Sequence, residues 1–273
     1  MKRRGILLRV AYDGAAYSGI AIQINGHTIA HELQRSIAAM APDASNIRSA
    51  SRTDAGVHAE DQAVAFDTSS QIGARGWLLG LTGHLPRDIA ITSVAFVAEG
   101  YDPSKHAIEK TYRYLILQGT VRDPFLRQRS WRVFERLNHR LMAAEADLLL
   151  GEHDFRAFRG AADGRDNTVR NILRASVTQG PTPSRVLTIE VSGNRFLYNM
   201  VRIIVGTLID VGRGKKAVGA VSRAIQSGER NDLGMTAPAD GLYLHRLVLD
   251  DNGEGAWPRP EKELAKPVTP LAE

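Results

Sequence analysis

The 273-residue sequence predicts an α+β protein built on a largely antiparallel sheet. Two observations lead there. Hydrophobic residues make up 43% and charged residues 24%, the profile of a soluble globular chain long enough for one large domain or two ordinary ones. Segments with strand alternation cluster together, with helices inserted among them instead of alternating strictly with them. Both halves of the chain carry strands and helices in similar proportion, without a detectable sequence repeat.

Taken in order, Gly5–Tyr12 reads as a strand with Ile6, Leu8 and Val10 pointing one way, and Asp13-Gly14 is its turn. Thr28 caps a helix whose Ile29, Leu33 and Ile37 share a face, and Ala41-Pro42-Asp43 ends it. The short strand Asn46–Ala50 runs into the loop Ser51-Arg52-Thr53-Asp54-Ala55-Gly56-Val57-His58, and the strand Gln62–Phe66 follows. Gly73–Leu81 reads as a short helix, Leu85-Pro86-Arg87-Asp88 as a break and Ile89–Val97 as a strand.

In Lys110–Gln118, Tyr112, Tyr114 and Ile116 alternate with Arg113, Leu115 and Leu117, as in a strand. Arg122–Val133 is irregular and basic. Leu137–Leu150 has helical spacing with Gly151 as its stop. Gly160–Thr168 is polar and without period, a mobile loop. Ile172–Gln179 and Val186–Ser192 form a strand pair joined through Gly180-Pro181-Thr182-Pro183. Phe196–Val211 is the strongest helix, with Leu197, Val201, Ile204, Leu208 and Val211 as its apolar stripe and Gly212 and Gly214 as its stop. A second helix, Ala217–Gln226, and a last strand, Gly241–Leu249, follow. Asp251–Glu273 is rich in Pro, Glu and Lys and reads as a disordered tail. The boundary between halves falls in Arg122–Arg136, giving units 1–121 and 122–250 and the tail 251–273.

Lys plus Arg number 35 against 30 for Asp plus Glu, a formal charge of +5, and the pI is near 9.6. That balance favours a polyanionic partner. The chain has no cysteine, which excludes disulfides, thiolate nucleophiles and cysteine-based zinc sites. Ile6–Val10 is interrupted by Arg9, too short and polar for a signal peptide, and no apolar run is long enough to span a bilayer. A cytoplasmic location is expected.

The loop Ser51–His58 gathers an arginine, a hydroxyl, a carboxylate and a histidine around Gly56. A polar, glycine-containing loop between two strands is a common place for catalytic groups. It is also the composition of a plain turn in which Asp54 accepts backbone N–H bonds. His58 reads as a hydrogen-bonding residue within the loop, and Asp54 with His58 alone makes a poor metal site. Arg202 lies in the apolar helix, where a guanidinium either snorkels or pairs with a carboxylate. Tyr112 is either an inward core tyrosine or a flat ring for a ligand.

Three stretches carry a resemblance. Arg52-Thr53-Asp54-Ala55-Gly56-Val57-His58-Ala59 resembles the signature of the tRNA pseudouridine synthase A family. Lys110-Thr111-Tyr112-Arg113-Tyr114 resembles the family's strand with a base-stacking tyrosine, and Asn194–Gly206 resembles its motif with a buried arginine. Supporting matches at Tyr12-Asp13-Gly14, Gly151–Phe155 and Thr236–Ala239 extend the likeness over residues 5–249. The resemblance implies two halves, each like a ferredoxin or RNA-recognition-motif plait, sharing a central sheet with a cleft between them. It implies isomerisation of uridine to pseudouridine in the tRNA anticodon stem-loop, around positions 38 to 40, by a homodimer with no cofactor and no metal. It assigns Asp54 as the catalytic carboxylate, Tyr112 as the base platform, Arg202 as the partner of Asp54 and Arg52 as an RNA-handling residue.

Two departures stand out. Gly19 is followed by Ile20-Ala21-Ile22 where the family commonly has Trp, and Ile203 stands where it often has Asn. Uridine isomerisation needs no redox step: the C1′–N1 bond breaks, the base turns and C1′ joins C5, with one carboxylate acting as nucleophile or base. The rival readings are a non-catalytic RNA-binding protein on the same fold and a metal-dependent nuclease. Basic stretches at Arg122–Arg136 and Arg156–Arg174 are candidate phosphate contacts.

Overall fold

Backbone pairing joins ten strands into one sheet among the residues that the computed structural model describes, 2–180 and 185–250. The tail expected at 251–273 and the link Pro181-Thr182-Pro183 lie outside them. In chain order the elements are β1 (Arg4–Tyr12), α1 (Ile29–Met40), β2 (Ser45–Ser49), β3 (His58–Thr68), α2 (Ala74–His84), β4 (Ile89–Val97), the single turn α3 (Pro103–His106) and β5 (Ala107–Gln118). Then come β6 (Trp131–Val133), α4 (His139–Asp147), β7 (Gly151–Asp154), β8 (Val169–Gln179), β9 (Val186–Gly193), α5 (Met200–Gly212), α6 (Ala220–Ser227) and β10 (Leu242–Leu249).

The sheet runs β4-β1-β3-β10-β5-β9-β8-β7, with β2 on β3 and β6 on β5. Pairing is antiparallel apart from β3–β10 and β5–β6. Two runs of chain trace the same path. β1-α1-β2-β3-α2-β4 lies in the order β4-β1-β3-β2, and β5-α4-β8-β9-α5-β10 lies in the order β10-β5-β9-β8. They meet where β3 and β10 pair in parallel over His58–Tyr243 and Ala59–Leu244.

The division at 121/122 leaves β5 with the N-terminal strands, yet β5 pairs with β9 and β10. Tyr112, Tyr114 and Ile116 stand opposite Val191, Ile189 and Leu187, and all six side chains are buried. The basic stretch after β5 is therefore a loop inside the second run, and its Trp131–Val133 pairs back onto Ile116–Gln118.

Most sequence-derived elements appear with shifted ends. Thr28 accepts the His31 N–H and starts α1, whose Ile29, Leu33 and Ile37 are buried. β3 is longer than Gln62–Phe66 because it sits between β1 and β10, so its polar start is also paired. There Asp61 is satisfied by Arg9 at 3.1 Å and by the Leu247 N–H at 2.9 Å. Gly151, read as a helix stop, begins β7, while α4 has already ended at Asp147. The loop 160–168 is anchored: the Gly160 N–H bonds the Tyr198 carbonyl at 2.8 Å, and Asp163 accepts the Tyr198 N–H at 2.7 Å.

α5 begins at Met200, four residues later than Phe196, because Asn199 takes a left-handed conformation (φ 60°) just before it. Every residue of α5 except Arg202 is buried, so it is a core helix on all sides and not a one-stripe surface helix. Gly206 makes that possible. A Cβ there would lie 1.8 Å from the Met235 carbonyl oxygen, so only glycine lets the 233–237 segment cross the helix.

Candidate active site

The loop between β2 and β3 is held by its backbone. Gln62, fully buried in β3, clamps Ser51: its Oε1 accepts the Ser51 N–H at 3.2 Å and its Nε2 donates to the Ser51 carbonyl at 2.8 Å. Thr53 Oγ1 shares a 2.7 Å hydrogen bond with the Tyr12 hydroxyl, and the Thr53 carbonyl accepts the Ile20 N–H at 3.2 Å. Gly56, at φ +78°, donates its N–H to the Tyr17 carbonyl at 3.2 Å. Between these points the Asp54 carboxylate enters a cavity of about 930 Å3.

Arg202 reaches the same cavity from the first turn of α5. Its Nη1 lies 3.5 Å from Asp54 Oδ2 and donates to Asn199 Oδ1 at 2.9 Å, while its Nε donates to the Ala237 carbonyl at 2.8 Å. The Ala237 N–H returns a 3.0 Å bond to the Arg202 carbonyl. Two neutral acceptors thus aim the guanidinium, and the segment supplying one of them is the one that crosses α5 at Gly206. At 3.5 Å the ion pair is loose.

The electrostatics follow. Burial raises the pKa of Asp54, while the charge of Arg202 and then its hydrogen bond lower it; the net position is above the ordinary aspartate value. A carboxylate in that balance is more basic than a solvated one.

Tyr112 on β5 shares a 3.0 Å hydrogen bond with Ser51 Oγ and meets Phe196 edge-on, with ring centroids 5.1 Å apart. Burial pushes its phenol pKa up; the Ser51 bond opposes this and the Asp54 charge adds to it. The ring is nearly buried at 7% exposure, but it lines the cavity.

Asp54, Tyr112, Arg202 and Arg52 all line this cavity. Arg52 is exposed at it, and its side chain has no hydrogen bond or ion pair among the described residues. His58 lies elsewhere. It is buried, its Nδ1 accepts the Gly14 N–H at 3.1 Å, its Nε2 faces the Gln128 and Asp240 carbonyls at 2.9 and 3.1 Å, and it stacks on Tyr243. Those partners are outside its own loop, so His58 joins the two runs of chain at their seam.

Several residues escaped the sequence reading. Lys110 lies two before Tyr112, so strand alternation already put it on the same side; it lines the cavity and donates to the Ala50 carbonyl at 2.9 Å. Asn199 supplies a hydrogen bond to Arg202, and Ile203 is buried core. Asparagine's tolerance of the left-handed region was the available signal. Gln62 and Ser51 carried none. Of the other departure, Ile20 is buried whereas Ile22 is exposed. Most arginines of the two basic stretches are engaged within the protein, Arg129 by Asp13, Arg156 by Asp154, Arg165 by Asp163 and Arg174 by Glu109. Arg122, Arg127 and Arg136 are exposed.

Comparison with known proteins identifies the family. A family model described as tRNA pseudouridine synthase matches residues 146–248. The tRNA pseudouridine synthase A of Citrifermentans bemidjiense is 41% identical over 249 residues, which cover 91% of this chain and 98% of that one. That of Myxococcus xanthus is 36% identical over 251 residues, covering 92% and 94%. Among solved structures, a Cbf5-Nop10-Gar1 complex matches at 12% identity over 90% of this chain and 50% of that one, with a TM-score of 0.40, too loose a likeness to carry a functional argument.

Proposed function

The chain belongs to the tRNA pseudouridine synthase A family and isomerises uridine to pseudouridine in tRNA, and from that premise we propose that Asp54 is its catalytic carboxylate. The observation that carries the proposal is the 3.5 Å approach of Arg202 to Asp54 in a cavity that Tyr112 also lines. The target uridine leaves the stack and enters the cavity, since its C1′ is otherwise out of reach. Its uracil lies against Tyr112. Ionised Asp54, held by Arg202, acts at C1′ or C6 as nucleophile or on the sugar as base. The C1′–N1 bond breaks, the base turns and C1′ bonds to C5; the C5 proton leaves to solvent and N1 takes one up, so no atom is gained or lost overall. Arg52 at the cavity mouth handles the RNA strand.

The target is placed in the anticodon stem-loop, around positions 38 to 40. The repeated strand-helix-strand-strand-helix-strand path supports two ferredoxin-like halves, 4–97 and 107–249, with the cleft between them. Exposed Val121, Phe125 and Phe134 support a homodimer, and a tRNA substrate supports a cytoplasmic location.

The test is tritium release from tRNA labelled at uridine C5, with a chelator present. Wild type is expected to release tritium and leave the RNA intact. Asp54→Asn, which keeps the shape and removes the charge, is expected to bind tRNA as wild type does and to release none. Substantial turnover by the purified Asp54→Asn protein would remove Asp54 from the role.

A further inference from the structure

The cations around the cavity differ in what they already hold. Arg48 grips Asp67 with both terminal nitrogens, at 2.7 and 3.0 Å. Arg165 is paired with Asp163, and Arg202 faces Asp54, Asn199 and Ala237. Lys110 is different. It is half-buried, makes no ion pair among the described residues, and has as its hydrogen-bond partner the neutral carbonyl of Ala50. Burial first, then the like charges of Arg195 and Arg165, bring its pKa down to about 8. The side chains of Arg195 and Arg52 have no hydrogen bond or ion pair among the described residues, and both are exposed.

A half-buried ammonium near guanidiniums, with no carboxylate paired to it among the described residues, is an electrostatic position that an anion completes. Its place narrows which anion. Lys110 shares the cavity side of β5 with Tyr112, and its Nζ touches the start of the loop that carries Asp54. A nucleotide with its base on Tyr112 and its C1′ at Asp54 brings its own backbone to this wall. We propose that Lys110, with Arg52 on the cavity wall and the exposed Arg195 whose charge acts on Lys110, binds the phosphodiester adjoining the flipped uridine. This rests on the uridine-isomerase reading and adds a reason for the site. During the reaction the uracil lets go of C1′ and turns, so contacts to the base cannot keep the sugar in place. The phosphate does not change, and a grip on it keeps C1′ aligned with Asp54 while the base moves.

The experiment is a single-turnover titration of the full chain with a synthetic anticodon stem-loop RNA. The RNA is made with normal linkages or with one neutral methylphosphonate, placed 5′ or 3′ to the target uridine. For wild type, one of the two neutral linkages should raise the half-saturating RNA concentration about tenfold, the scale of one charge-assisted hydrogen bond. Lys110→Gln should show that loss on the normal RNA and no further loss on the neutral one, while Lys110→Arg should retain most of the affinity. Thermal melting checks the fold, and if Lys110→Gln is unstable, the exposed-site variants Arg52→Gln and Arg195→Gln carry the same comparison. The proposal is overturned if wild type is indifferent to both neutral linkages, or if Lys110→Gln loses as much as wild type does at each. Wild type forming no pseudouridine on the normal RNA would instead bring down the uridine-isomerase reading, and the clamp with it, before any linkage is compared.

Discussion

Asp54 sits under two opposed influences, and their balance can be measured. Burial raises its pKa and Arg202 lowers it, with the net value above an ordinary aspartate. With Asp54 acting as the proposed catalytic anion, the acid limb of the single-turnover rate should lie above the usual carboxylate range. In Arg202→Ala only burial remains, so the limb moves to higher pH and the rate at neutral pH falls steeply. Arg202→Lys, a point donor without the fork, should recover part of it. An unshifted profile in Arg202→Ala would deny the pair. The same raised pKa has a thermodynamic side. A carboxyl that protonates more readily folded than unfolded stabilises the fold fully below its unfolded pKa, and that contribution disappears as pH rises through the folded pKa. Asp54→Asn should therefore melt no lower than wild type at neutral pH, while isomerisation is lost. Tyr112 separates the two uses of a phenol. Stacking is worth roughly 1–3 kcal/mol per base, so Tyr112→Phe should be mild and Tyr112→Ala severe in RNA affinity, whereas a phenol that moves a proton would make Phe severe in turnover. Of these side chains the sequence singled out Asp54, Tyr112, Arg202 and Arg52, because each stands in a short local motif. It was silent on Gln62, because the clamp on Ser51 links residues eleven apart on two strands and no local pattern encodes it.

At the scale of the element, α5 and the 233–237 segment act as one support for Arg202. Thr207 Oγ1 accepts the Gly234 N–H at 3.0 Å and Asp210 accepts the Met235 N–H at 3.1 Å, so the segment lies along the helix up to the Ala237 carbonyl that aims the guanidinium. Gly206→Ala should displace that segment. We expect a loss of about 1–3 kcal/mol in stability, as for overpacking a core, together with a fall in turnover larger than stability explains. Glu145 makes the contrast. Fully buried, it caps α6 through the Gly219 and Val221 N–H groups at 2.8 and 2.6 Å. Glu145→Ala should cost on the order of 1–3 kcal/mol for the donors left unpaired and leave turnover per folded molecule unchanged. Denaturant melts and single-turnover rates on both variants decide. Element type was legible where period and cap agreed, as at Thr28–Ile37. It failed where the decisive contact was distant: Phe196 continues the apolar pattern of α5, but Asn199 turns the chain first, and Gly151 resembles a stop although β8 recruits it as a strand.

For the whole molecule, charge and topology make separate statements. If tRNA is gripped through exposed and cavity cations, log K should fall linearly with log salt, with a slope of about −0.9 for each phosphate neutralised on duplex. A flat plot would contradict a polyanionic substrate. The sheet order was not legible in the sequence, since β5 gives no local sign of preferring β9 and β10 over β1 and β3. Its tyrosines alternate in the same way whichever neighbours they have.

The strand at the seam is also the last in chain order among the described residues. β10 stands between β3 and β5, and Tyr243 and Leu244 provide the parallel pairing that joins the two runs. On the ribosome, β3 and β5 are thus complete long before the strand that fits between them exists. Until Leu242–Leu249 emerges, β5 lacks its partner over Ala107–Tyr114 and β3 lacks its partner at His58–Ala59, an open edge and a template for wrong pairing. The His58 side chain then lacks both Tyr243 and the Asp240 carbonyl. Asp54 and Tyr112, on opposite sides of the seam, have no fixed distance in the nascent chain. The site is therefore assembled only once Leu242–Leu249 has been made, and a message cut short before these codons yields two half-sheets that are not joined instead of a slow enzyme.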